Sequence, residues 1–270
     1  KDMYDFSYHR AASVADATSK LNSADDGKLV AGGMTLIPTL KQRLAKPPML
    51  IGLKDVADLK GIHRAGHAFG IGAMATHLDV ATHAELRVAC PALCHLAGEI
   101  GDPAVRSRGT IGGSLANNDP AADYPAAILA LGATVVTGQR KIAADDYFKG
   151  WFTTALDPGE LITGVGFQVP EKAGYAKFAQ RASRYALVGV FVAKFAGGVR
   201  VAVTGAGEAG VFRVPEIESA LAKDFSVAAL AAITMPATGL MSDLHAPADY
   251  RAALIPVMAE RAVAMANGAG

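Results

Sequence analysis

Two glycine-rich stretches are the parts of this chain best suited to chemistry. The first is Ala31-Gly32-Gly33-Met34-Thr35-Leu36, reached through Leu29 and Val30, and the second is Gly109-Thr110-Ile111-Gly112-Gly113-Ser114-Leu115. Consecutive glycines let successive backbone N–H groups point into one concavity, and such a nest holds a diphosphate without lysine. A helix N-terminus behind it reinforces the effect. Ordinary turns are the competing reading of either stretch alone, and two together favour phosphate. G-x-G-x-x-G is missing after the first strand and G-x-x-x-x-G-K-[ST] is absent throughout, which excludes Rossmann and P-loop sites.

Other reactive residues suggest less. Cys90 and Cys94 fall short of the ligands that zinc or an iron–sulfur cluster needs, and they are expected in the core. His63 with His67, and His77 with His83, have no carboxylate or Cys at ligand spacing, so no metal site is predicted. Ser114 lacks the G-x-S-x-G frame of a hydrolase nucleophile.

The elements that must position the two loops are punctuated clearly. Residues up to about Gly52 read as strand, helix, strand, helix, strand. Ser13 caps a helix with Val14, Ala17 and Leu21 on its apolar face. Lys28–Ala31 reads as a buried strand, Pro38 begins a helix through Thr39–Arg43, and Met49–Gly52 is the third strand. A hairpin follows, with Gly61–Arg64 and His67–Ile71 joined at Ala65-Gly66. Thr76 and Asp79 have capping-box spacing, and Pro91 opens a helix carrying Leu93, Leu96 and Ile100. Asp102–Asp123, rich in Gly, Asn, Asp and Pro, reads as a long loop. Strands are predicted at Ala133–Gly138 and Leu161–Val169. A turn at Pro170–Gly174 then places a boundary near residue 172. Beyond it, Leu187–Phe195 and Val199–Thr204 form a hairpin, helices follow Pro215 and Pro247, and Asn267–Gly270 are expected to fray.

With 270 residues, 51% of them hydrophobic, the chain can bury a large core, which excludes intrinsic disorder. Its 26 Lys and Arg against 25 Asp and Glu leave no basic surplus for nucleic acid. The longest apolar runs, Pro125–Val136 and Ala186–Ala193, are shorter than the roughly 20 residues of a membrane-spanning helix. The opening residues show no secretory signal, and only two cysteines occur, so a reducing cytoplasm is expected.

Taken together the blocks resemble a known family. Tyr4-Asp5-Phe6-Ser7-Tyr8-His9-Arg10 with Ala31-Gly32-Gly33, Leu36 and Pro38 resembles the opening of molybdenum hydroxylase FAD subunits, the xanthine oxidase family, in its carbon monoxide dehydrogenase-like branch. Arg108 through Asp123 looks like the family's long flavin loop almost position for position. Gln180 through Val190, and Asp243-Leu244-His245-Ala246 with Tyr250-Arg251, are similar to its C-terminal part. The resemblance implies an α+β fold. Residues 1–172 would form a two-part FAD-binding domain of the vanillyl-alcohol-oxidase/PCMH type, split into 1–55 and 56–172. Residues 173–270 would form a smaller C-terminal domain of antiparallel sheet plus helices.

Carried over by position, the resemblance implies that Leu29, Val30, Ala31, Gly32, Gly33, Met34, Thr35 and Leu36, with Gly109, Thr110, Ile111, Gly112, Gly113 and Ser114, wrap the FAD diphosphate through backbone amides. Asp123 would accept hydrogen bonds from flavin or sugar hydroxyls, Ile100 and Tyr185 would lie beside the ring, and Lys177 would approach it from the second domain. Thr76 and His77 would be neighbours. On residue type alone Ile100 and Tyr185 read as core. The family's substrate is oxidised at a molybdopterin cofactor in a large subunit, and electrons cross [2Fe–2S] clusters in a small one. The FAD subunit passes them to an acceptor, and the expected assembly is a dimer of heterotrimers. Two departures stand out. Arg184 occupies a position where relatives usually carry an acid, which bears on the acceptor, and Val211–Val214 replaces a Pro-rich turn. The rival readings are a self-contained FAD-dependent oxidoreductase with a nicotinamide donor and a cofactor-free assembly subunit.

Overall fold

The computed structural model describes residues 3–268. The chain begins with β1 (Ser7–Arg10), α1 (Val14–Ser23), β2 (Lys28–Val30), α2 (Leu36–Lys41) and β3 (Met49–Gly52), and its strands are parallel in the order β1-β3-β2. Parallel neighbours need crossovers, which α1 and α2 supply. Ser13 caps α1 by accepting from the Asp16 amide, as its spacing predicts. Two expectations need correction. Lys28 is exposed and Leu29 and Val30 are only half-buried, because β2 is an edge strand. Helix α2 starts at Leu36 rather than at Pro38, since proline, lacking an N–H, is tolerated throughout a first turn.

The next stretch runs β4 (Ile62–Ala65), β5 (Ala68–Gly72), α3 (His77–Thr82), α4 (Ala84–Ala89), α5 (Pro91–Gly98), α6 (Pro103–Arg106), α7 (Ile111–Asn117) and α8 (Tyr124–Ala130). It continues with β6 (Thr134–Thr137), β7 (Lys141–Ala143), α9 (Ala144–Tyr147), the small pair β8 (Phe148–Gly150) and β9 (Thr153–Thr154), and β10 (Ile162–Gln168). Five antiparallel strands pair in the order β4-β5-β10-β6-β7. Phe69, Ile71, Val135 and Val165 from this sheet share a core with Leu93, Leu96, Leu115 and Ile128 from the helices. Ala65 pairs with Ala68, so the hairpin turn is Gly66-His67, one residue later than expected, with Gly66 at φ 61°. The stretch read as a loop holds two short helices. Each has a side-chain cap: Asp102 accepts from the Val105 amide and Thr110 from the Gly113 amide. In α7 the cap offsets the poor helix propensity of Gly112 and Gly113.

The remainder is an antiparallel sheet, β11 (Lys172–Ala179), β12 (Ala186–Phe195), β13 (Gly198–Thr204) and β14 (Phe212–Arg213), with α10 (Pro215–Lys223) and α11 (Ala248–Ala266). Val188, Val190, Val192, Val201 and Val203 pack against Ile217, Leu221, Ile255 and Met258. Tyr175, Phe191 and Ala202, from the same strands, join the preceding core. The predicted turn at Pro170–Gly174 shortens to Pro170-Glu171, because Lys172–Gly174 already pair with Val192–Lys194. Gly174 is there for contact: a Cβ would stand 1.8 Å from the Ala262 carbonyl of α11. Of the end expected to fray, residues 269 and 270 lie outside the described residues. Asn267 accepts from Lys172 Nζ at 2.6 Å and donates to the Phe225 carbonyl at 3.1 Å. Among the described residues no helix is long and apolar enough to cross a membrane.

Candidate cofactor site

A cleft of about 690 Å³ opens where the loop between β2 and α2 faces the start of α7. That volume lies within the range of roughly 300–1,000 Å³ usual for ligand sites. The loops approach so closely that a Cβ on Gly32 would stand 2.1 Å from the Arg108 carbonyl oxygen, and one on Gly113 would stand 3.6 Å from Ala31 Cβ. Gly33 adopts φ 72°, a left-handed conformation that suits glycine.

The two loops differ in what their amides do. Ile111 N–H donates to the Ala75 carbonyl at 3.0 Å, Gly112 N–H to Ala73 at 2.9 Å, and Ser114 N–H to Thr110 at 3.0 Å. Gly113 N–H donates to Thr110 Oγ1 at 3.1 Å. These amides were expected to face the diphosphate, and in this structure the protein already engages them. Gly112 is needed for packing, since a Cβ would lie 2.6 Å from Ala73 Cβ. The amides of Gly32 to Leu36, in contrast, make no hydrogen bond to protein among the described residues.

One end of the cleft is apolar, with Leu29, Leu53, Leu156 and Leu161. Glu160 closes it, its side chain shut from solvent and bound by Arg140 Nε at 3.0 Å, Thr137 Oγ1 at 2.7 Å and the Asp157 amide at 2.8 Å. Chiefly the Arg140 hydrogen bonds, reinforced by the other donors, hold this carboxyl down to about 2. Another part of the wall is formed by Ile100, Gly101, Asp123, Ser183, Arg184 and Tyr185.

Most residues singled out from the sequence meet here: Leu29, Ala31 to Leu36, His77, Ile100, Gly109, Thr110, Gly112, Gly113, Ser114, Asp123 and Tyr185 all line the cleft. Four do not. Val30, the last residue of β2, is outside the lining although Lys28 and Leu29 belong to it. Thr76 caps α3, and Ile111 is fully buried in the core. Lys177 stands behind the wall, its Nζ donating to Asp123 Oδ1, the Glu99 carbonyl and the Arg184 carbonyl, each at 2.9 Å. Three acceptors satisfy a lysine ammonium fully. Tyr175 donates its hydroxyl to the same Asp123 Oδ1. Burial pushes the Asp123 carboxyl upward, against the pull of Lys177 and Tyr175. Arg184, exposed at φ 62°, has no ion-pair partner among the described residues.

His77 is buried, and its Nδ1 finds no hydrogen-bond partner among the described residues. Burial foremost, then Arg106, lowers its pKa to about 4, so the ring is neutral near pH 7. A Cβ on Gly109 would stand 2.5 Å from His77 Nε2, which explains that glycine by contact. Sequence reasoning missed Leu53, Leu156, Leu161, Glu160 and Tyr175. No local pattern separates those leucines from core, and the Tyr175–Asp123 contact spans 52 positions. A cleft lined by unengaged amides together with apolar and aromatic side chains fits a dinucleotide carrying two planar rings.

Residues 4–171 match the family described as the FAD binding domain in molybdopterin dehydrogenase. The carbon monoxide dehydrogenase medium chain of Afipia carboxidovorans is 38% identical over 97% of this chain and 96% of its own length. The nicotine 6-hydroxylase medium subunit of Paenarthrobacter nicotinovorans is 34% identical over 96% of each. Quinoline 2-oxidoreductase from Pseudomonas putida 86 superposes with a TM-score of 0.88 at 29% identity, covering 100% of this chain and 99% of that one. The fold is that of an α+β flavoprotein, as the resemblance implied. The chain belongs to the family of FAD-binding medium subunits of molybdenum hydroxylases. It is the FAD-carrying oxidoreductase component of a multi-subunit enzyme.

Proposed function

We propose that the cleft holds one non-covalent FAD and that this chain passes electrons from the [2Fe–2S] clusters of a small partner subunit to an external acceptor. A large molybdenum-cofactor subunit performs substrate oxidation, and the assembly is a dimer of heterotrimers in the cytoplasm. The observation that carries the reading is the row of amides from Gly32 to Leu36 that line the cleft and make no hydrogen bond to protein among the described residues. Residues 1–172 form the cofactor domain, divided near 55, and 173–270 the second domain. Pro170-Glu171 between β10 and β11 supports that boundary.

FAD, when bound, supplies the capacity to exchange electrons and hydride. The chain's own residues supply binding and position. The Gly32–Leu36 amides and the Ser114 hydroxyl hold the diphosphate, assisted by the partial positive charge at the starts of α2 and α7. Leu29, Leu53, Leu156 and Leu161 exclude water from the base at one end, and Ile100 and Tyr185 flank the ring system at the other. Asp123 accepts a hydrogen bond from the cofactor. Lys177 and Tyr175 act through Asp123 as positioning residues, because Lys177 ties together the end of α5, the start of α8 and the hairpin tip at Arg184.

The test is to purify the chain with its neighbours and precipitate it with acid. One FAD per chain should appear in the supernatant, and substrate should bleach the flavin only when the molybdenum and iron–sulfur chains are present. A colourless chain, or a yellow pellet over a colourless supernatant, would contradict the reading.

A further inference from the structure

We infer that His77, through its Nε2–H, gives the cofactor diphosphate the hydrogen bond that the amides of the second loop cannot give, an inference that rests on the FAD reading above. A diphosphate laid along the Gly32–Leu36 amides still presents oxygens toward the second loop. There the Ile111–Ser114 amides are spent on Ala75, Ala73 and Thr110, so a protein donor on that side has to be a side chain. His77 stands where one is needed. A Cβ on Gly32 would lie 2.8 Å from Gly109 Cα, and a Cβ on Gly109 would lie 2.5 Å from His77 Nε2. Only the Gly109 backbone therefore separates the imidazole from the first loop, and His77 lines the cleft beside Gly109, Thr110 and Gly113.

The ring is also held ready to donate. Its own backbone N–H donates to the Gly109 carbonyl at 2.9 Å, the Thr76–Asp79 capping box fixes the start of α3, and the ring packs on Tyr124 with centroids 5.4 Å apart. Only 5% exposed and neutral near pH 7, the imidazole carries one N–H and one lone pair. Nδ1 is sealed from solvent and meets no acceptor among the described residues, so a proton there would be a buried donor left unpaired. Nε2 is not sealed in that way and points at Gly109 on the cleft wall, where a ligand oxygen can accept. The proton therefore belongs on Nε2. Packing alone would favour an apolar ring here, because among the described residues neither imidazole nitrogen has a protein hydrogen bond to offset its burial. A bound anion supplies that hydrogen bond, and a preoriented donor accepts it at little ordering cost.

The test is nitrogen magnetic resonance of the full chain with isotope-labelled histidine, in which the His77 signals are those missing from His77→Gln. Near pH 7 the proton should sit on Nε2 with and without FAD, and FAD should shift the Nε2 resonance and slow exchange of its proton. A proton on Nδ1 in the loaded chain, or an Nε2 signal that FAD leaves unchanged, would overturn the inference. His77→Phe should weaken FAD binding about tenfold or more, the loss of one hydrogen bond to a charged acceptor. His77→Gln, whose amide keeps a donor, should lose less. Riboflavin, which has no diphosphate, should bind the wild type and His77→Phe alike. Equal weakening of riboflavin and FAD, or undiminished FAD affinity in a folded His77→Phe, would also overturn the inference, and if His77→Phe does not fold, the resonances of the wild type decide. A wild-type chain that takes up no FAD would sink the cofactor reading itself. A chain that takes up FAD while His77 stays silent sinks this inference alone.

Discussion

The two glycine loops face each other across one cleft, and glycine serves opposite purposes in them. From Gly32 to Leu36 it lets the chain turn left-handed at Gly33 and leave its amides without acceptors among the described residues. From Gly109 to Ser114 it removes side chains so that α7 can seat against Ala73 and His77, and there the amides are engaged. Similar composition thus yields a binding surface on one side and a packing joint on the other. Counting glycines does not tell them apart, whereas asking where each N–H goes does.

The largest effect expected from this contrast is on folding. Gly112→Val would push a side chain into Ala73, where a Cβ already stands 2.6 Å from its neighbour. Overpacking of this kind costs about 1–3 kcal/mol, so the flavin-free chain should melt lower, with FAD affinity falling only as a consequence. Unaltered melting with lost FAD binding would make the second loop a phosphate site after all.

Gly33→Val probes the other side. A left-handed position costs a non-glycine residue about 1–2 kcal/mol, and relief of that strain disturbs the amide row. FAD affinity, read by flavin fluorescence quenching, should fall about tenfold or more, with a smaller change in apo melting than in Gly112→Val. Retained affinity would break the comparison.

The smallest effect concerns His77 behind the second loop. Its pKa is lowered to about 4, so the unfolded chain takes up a proton near its ordinary value of about 6.5 that the folded chain refuses. The stability it contributes is complete above about 6.5 and is lost as pH falls toward 4. His77→Gln should flatten apo stability across that window, leaving the loss from Glu160, whose carboxyl is held down to about 2, at lower pH. Parallel wild-type and variant curves would show that His77 is not a neutral packing partner.

Much of this was legible before the structure, for reasons that are local. Ser13, the Thr76–Asp79 pair and Pro91 signal helix starts within a few residues, and all three do so here. Asp102–Asp123 misled because its glycines outweigh two caps, Asp102 and Thr110, and the helix that Thr110 starts also depends on docking against Ala73 and Ala75. The cleft's apolar end was illegible because Leu53 and Leu161 sit in strand-flanking runs that look like any core. Lys177 illustrates a third limit. The resemblance implied its approach to the flavin, but that the protein consumes all its donors depends on Asp123, Glu99 and Arg184, brought together only by folding.

The most direct test of the account is amide hydrogen exchange of the flavin-free and FAD-loaded chain, resolved over residues 32–36 and 111–114. The account predicts fast exchange in 32–36 that slows strongly when FAD binds, and slow exchange in 111–114 that scarcely changes. The reverse pattern, with new protection confined to 111–114, would contradict the assignment of the diphosphate to the first loop.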